Sequence, residues 1–162
     1  MKLATSYFYQ IRHFKQWYIP ISTALSDPDW YRPREGQEYF LDNRGIVCGL
    51  RYEPLIVQQE GTHTCFGPES CWYANADIRD PYGKEIPCPT MIEYEQLLHS
   101  LVNKERTLQA FEYCAAKFKK ELDLPCEPVI VLMVYETPDN RCSERAALQR
   151  FFNCKELRYP IC

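Results

Sequence analysis

The stretch VIVLMVY, residues 129–135, constrains the fold more than any other part of the chain. It is apolar at every position but the last and β-branched at its start. A strand with one face in water alternates apolar and polar side chains, whereas an unbroken apolar run needs cover on both faces. The run therefore predicts a central strand of a parallel sheet, whose neighbours must be reached by crossover connections.

Two further strands are expected, from KLATSYFY at residues 2–9 and YIPISTAL at residues 18–25. Between the second strand and the central one lie two helical patterns. The first follows Thr90, which with Glu93 three residues on has the spacing of a capping box, and carries Leu97, Leu98 and Leu101 on one face. The second, at about residues 104–122, aligns Leu108, Phe111, Ala115 and Phe118, with Lys117, Lys119 and Lys120 near the negative end of its dipole. A last helix, expected at about residues 143–153, buries Leu148, Phe151 and Phe152. The chain reads as one small three-layer α/β domain with a short, mostly parallel sheet and helices on both faces. An irregular cysteine-containing insertion at about residues 30–89 interrupts it and contains all six glycines. A short hairpin is expected around IVCGLRYEPLIV.

With 162 residues a single domain buries roughly 70% of its unfolded surface. The net charge of −3 gives no support to a general nucleic-acid binder. No segment approaches the length of an apolar membrane span. The N-terminal stretch lacks a sustained apolar run and a small-residue cleavage site, so the expectation is a cytosolic protein without a signal peptide. In that setting nine cysteines, an odd number, argue against a disulfide framework and for metal ligation, a reactive thiol or buried packing.

Four of the cysteines, Cys48, Cys65, Cys71 and Cys88, lie in the insertion, with His63 two residues before Cys65. Gly67 and Pro68 make a turn that brings Cys65 and Cys71 towards one centre. Cys88 sits between two prolines. The expected metal set is His63, Cys65, Cys71 and Cys88, with Cys48 as the alternative to His63. Zinc is the expected ion and an iron–sulfur cluster the alternative; unrelated thiols are the competing reading.

The second candidate site is the junction that follows the central strand, ETPDNRCSER. Ligands of open α/β sheets bind at the carboxyl ends of the strands, and a helix N-terminus there favours anions and thiolates. Glu136 and Cys142 are the candidate catalytic groups, as acid/base and nucleophile. Tyr7, Arg12, Ser22, Ser143 and Arg145 are the candidates for holding an anionic small molecule or nucleotide, with Arg12 and Arg145 as a two-arginine pocket. Structural readings compete: Ser143 or Asn140 as helix cap, Glu144 as a partner of the helix dipole, and Arg145 as a partner of Glu136. Two residues separate Cys142 from Arg145, not the five of cysteine-dependent phosphatases. No dinucleotide fingerprint, P-loop or nucleophile elbow is present.

The segments ATSYFYQIR, IPISTAL and VIVLMVYETPDNRCSER resemble the domain of unknown function 488 family. The resemblance covers residues 2–24 and 129–152. On the family pattern Glu136 matches its glutamate and Cys142 the cysteine of its Cys-His-Arg element, here Cys-Ser-Glu-Arg, so that Arg145 takes the arginine's place. The family's first cysteine is Val134 in this chain and its histidine is missing, which weighs against a dithiol or histidine-dependent mechanism. GIVCGLRYEPL and CFGPESC look like a cysteine-bearing branch. The resemblance implies an α/β fold with an active site at these strand ends, in a family found in bacterial and phage genomes, without naming a substrate. The expected function is an enzyme acting on a nucleotide or nucleic-acid component. The alternatives are a protein that sequesters a nucleotide and a metal-stabilised interaction module.

Overall fold

The computed structural model describes residues 1–57, 79–86, 88–140 and 142–159. Its main sheet has four parallel strands: β1 (Lys2–Tyr7), β2 (Tyr18–Ser22), β5 (Val129–Val134) and β6 (Lys155–Glu156), in the order β2-β5-β1-β6. The expected central strand is central: β5 pairs with β1 along its whole length and with β2 on the other side. All six of its residues are buried. Pro20 lacks the N–H that an inner strand would need, and β2 accordingly lies at the edge.

The two faces of β5 feed two cores. Ile130, Leu132 and Val134 face the helices α1 (Pro89–Leu101), α2 (Lys104–Glu121) and α3 (Arg145–Phe152), against Tyr94, Leu98, Phe111, Phe118, Leu148 and Phe151. Val129, Val131 and Met133 face a second core with Phe8, Ile11, Phe14, Tyr31, Ile46 and Cys48. The covering layers are therefore unequal. All three α-helices pack into the first core, and the second face is covered by short 3-10 turns and a small hairpin. The crossover from β1 to β2, residues 8–17, is too short for a helix that spans the intervening strand. It uses the steeper 3-10 turn Phe8–His13 instead.

The hairpin is β3 (Phe40–Leu41) with β4 (Val47–Cys48), so that the start of IVCGLRYEPLIV is its second strand and the first lies before that stretch. Asp42 makes its turn by accepting the backbone N–H groups of Arg44 and Ile46, and Gly45 takes a positive φ of 80°. Thr90 does not cap α1: Cys88 is the N-cap, Pro89 fills the first position, and Thr90 is buried inside the helix. At α2 the cap is Asn103, whose side chain accepts the N–H of Arg106 at 2.9 Å.

Candidate functional site at the strand ends

The carboxyl ends of β1 and β5 lie side by side, Tyr7 opposite Val134. From there the chain leaves on opposite faces, β1 into the 3-10 turn of the second core and β5 towards α3 of the first. The junction after β5 folds back under its own polar side chains. Asn140 accepts the backbone N–H of Cys142 at 2.9 Å, and Ser143 Oγ accepts that of Arg145 at 3.2 Å. These local turn bonds set the entry to α3, but neither residue is its cap: the N-cap is Glu144, without a side-chain cap bond.

Arg145 is the best-fixed member. It is 6% exposed. Nε donates to Glu156 Oε1 at 3.0 Å and Nη2 to the carbonyl of Glu136 at 2.6 Å. The guanidinium lies 5.8 Å from the centre of the Tyr7 ring. Glu156 also accepts from Thr5 Oγ1 at 2.7 Å, and Thr5 Oγ1 accepts from Gln149 Nε2 at 2.8 Å. A bidentate clamp on an anion is thus unavailable, because two of the three guanidinium nitrogens already hold the protein together. Nη1 is left: buried, and without a hydrogen-bond partner among the described residues.

Two carboxyl groups meet beside it. The Glu136 carboxyl lies near Ser143 and Glu144, whose polar side chains favour its charged form. Glu144 is buried, and burial together with the neighbouring Glu136 charge pushes its carboxyl up from 4.5 to about 8. Burial also raises Glu136, against the opposing pull of its hydrogen bonds and of Arg145. At neutral pH Glu144 is consequently protonated, and the two carboxyls titrate as a pair. Tyr94 of α1 donates its hydroxyl to the Leu55 carbonyl at 3.0 Å, and burial and then the Glu144 charge push that hydroxyl well above the ordinary range. Sequence reasoning treated Glu144 only as a partner of the helix dipole and missed Thr5, Gln149 and Glu156. A second acidic residue at the junction was the one available signal. Nothing local marked β6.

The other candidates lie apart from this cluster. Arg12 is exposed, stacked 3.9 Å over the Tyr9 ring and bonded to His13, so no two-arginine pocket forms with Arg145. The 3-10 turn carries it to the surface. Ser22 is buried and donates to Asp27, which pairs with Arg51 at 2.7 Å, a closed polar cluster at the end of β2. Tyr7 is half-buried, and its hydroxyl accepts from Gln10 at 2.8 Å.

Cys142 is 2% exposed, which removes it from reach of a substrate as a nucleophile, and its Sγ stands 3.8 Å from that of Cys88. Of the expected metal set, His63, Cys65 and Cys71 lie outside the described residues. The alternative ligand, Cys48, belongs to the second core, where burial pushes its thiol up to about 12. Among the described residues, no three His, Cys, Asp or Glu side chains are grouped to hold a metal ion. Cys126 is disulfide-bonded, which corrects the expectation of a chain without disulfides. No described helix is long and apolar enough to cross a membrane.

Comparison of the chain with protein-family models, with curated proteins and with solved structures found no match.

Proposed function

We propose that the strand-end cluster is the acid/base site of an enzyme acting on a nucleotide or nucleic-acid component. The observation that carries this reading is the Glu136–Glu144 pair, two neighbouring carboxyls of which the buried Glu144 keeps its proton to about pH 8. A shared proton between unequally buried carboxyls supplies an acid and a base at neutral pH. Glu136 is the more exposed and meets the substrate; Glu144 acts through it as a positioning residue. Support for the substrate class comes from the half-buried Tyr7 ring beside the Arg145 guanidinium and from the resemblance to the domain of unknown function 488 family. Because Glu156 already matches the charge of Arg145, the cluster suits the sugar or base portion better than a bare phosphate.

The test is incubation of the full chain with a panel of ribo- and deoxyribonucleosides and their monophosphates, read by liquid chromatography with mass spectrometry. The expected result is conversion of at least one member, lost in Glu136→Gln with the circular dichroism unchanged, and declining as the pH rises through about 8. No conversion of any member, or equal conversion by Glu136→Gln, overturns the reading. A nucleotide retained unchanged favours sequestration instead.

A further inference from the structure

Four aromatic rings form a continuous array along the carboxyl end of the sheet. Tyr135, the first residue after β5, packs on Phe8 with ring centres 5.1 Å apart. Phe8 packs on Tyr31 at 5.1 Å, and Tyr31 on Trp30 at 6.3 Å. The inner two rings are buried, whereas Tyr135 is 47% and Trp30 54% exposed. A single exposed ring on a loop is ordinary. Tyr135 is different in two respects: Phe8 supports it from behind, and the next residue is Glu136. Alternation along the strand sends Met133 and Tyr135 to the second core and Val134 to the first, and Glu136 turns towards Glu144. The Cα atoms of Tyr135 and Glu136 are about 3.8 Å apart, so one small molecule lying across the strand end meets both. The other exposed rings of this end are placed differently. Arg12 covers Tyr9 at 3.9 Å, and Trp30 stands at the far end of the array.

Charge decides what kind of molecule this shelf takes. The charged side chains that act on Tyr135 are Asp27, Arg32 and Asp29. Asp27 is paired with Arg51 at 2.7 Å and Asp29 with Arg32 at 3.5 Å. Each acid is matched by an arginine, so the shelf is electrically balanced. That suits an uncharged planar ring, which gains stacking area, and gives a phosphate little to bind. We infer that Tyr135 is the stacking platform for the base of a nucleoside substrate, whose sugar lies towards Glu136. The inference rests on the acid/base reading for the identity of its ligand and adds which part of that ligand is held, and by which ring.

The experiment is isothermal titration calorimetry of the full chain with adenosine, guanosine, cytidine and uridine, with ribose 5-phosphate as the probe without a base, and with a short single-stranded DNA. The variants are Tyr135→Leu, Tyr135→Phe, Glu136→Gln and, on the exposed face of α2, Tyr113→Leu as the control. Leucine keeps apolar cover over Phe8 and removes only the ring. At least one nucleoside is expected to bind, with an affinity insensitive to salt, and ribose 5-phosphate is not. Tyr135→Leu is expected to weaken binding about tenfold, the size of one base–aromatic stack, while the other three variants bind as the parent does. Where Tyr135→Leu loses the parent's circular dichroism, saturation-transfer NMR on the parent decides: the base protons are expected to receive more saturation than the sugar protons. The inference is overturned by no binding of any nucleoside, by equal binding in Tyr135→Leu, or by a loss in Tyr135→Phe as large as in Tyr135→Leu. Salt-dependent binding of the DNA alone, or saturation centred on the sugar, overturns it as well. The two readings fail separately. Nucleosides that bind through Tyr135 without being converted leave the shelf standing and remove the acid/base reading; conversion with undiminished binding by Tyr135→Leu does the reverse.

Discussion

At the scale of single residues, Arg145 organises the end of the sheet. Its side chain bridges three segments: the loop after β5 through the Glu136 carbonyl, β6 through Glu156, and β1 through the Tyr7 ring. Removing one partner of a buried pair leaves the other desolvated, which costs more than the pair itself contributes. Arg145→Met is expected to destabilise the fold by about 3 kcal/mol, moderated by the partial exposure of Glu156, as a lowered urea midpoint. Midpoints equal to the parent's would show that the bridge carries no weight. Glu144 is a residue of the same kind in reverse. Among the described residues no cation pairs with it at bonding distance, and burial together with the Glu136 charge keeps its proton on.

At the scale of elements, helix identity was legible because apolar side chains repeat at the helical period. Phe111, Ala115 and Phe118 of α2 are buried as their spacing predicts, with Leu108 partly so. The ends were less legible. Asn103 lies outside the apolar pattern and contributes by its side-chain oxygen alone. Asn103→Ala is expected to cost about 1 kcal/mol in chemical denaturation, and Asn103→Ser or Asn103→Asp very little. In the strands, Leu132 is fully enclosed between the sheet and the helices. Leu132→Ala is expected to cost about 3–4 kcal/mol, a loss to be read from the same unfolding curves. A cost below that of Asn103→Ala would mean that the core closes around the gap. The capping box read at Thr90 failed because Pro89 occupies the first helical position, which puts the cap two residues earlier, at Cys88, and leaves Thr90 inside.

For the whole molecule, the raised carboxyl couples folding to pH. The unfolded chain ionises Glu144 near 4.5, whereas the folded chain holds its proton to about 8. Between these values the native state binds more protons than the unfolded state, so stability falls as the pH rises across that window and levels off above it. The contribution is complete below 4.5 and lost by passage through 8. Glu144→Gln keeps the shape and removes the titration. Its thermal midpoint is expected to depend less on pH than the parent's over this window, with a relative gain above pH 8. Parallel pH profiles for the two proteins would show that Glu144 does not titrate in this way.

The sequence by itself determined the sheet and its centre. An apolar run such as VIVLMVY has no stable place except between two covered faces, and residues of one strand state that requirement without help from the rest of the chain. It also located the junction after β5, because strand ends are where polar side chains resume. Which of those side chains meet was decided only by tertiary structure. Glu156 reaches Arg145 by way of a two-residue strand too short to leave a pattern. Cys142 finds Cys88 because two helices pack side by side. Arg12 is carried to the surface by the 3-10 crossover. Periodicity records what one element buries. Partnership between distant residues depends on how elements dock, and a single sequence holds no local trace of that.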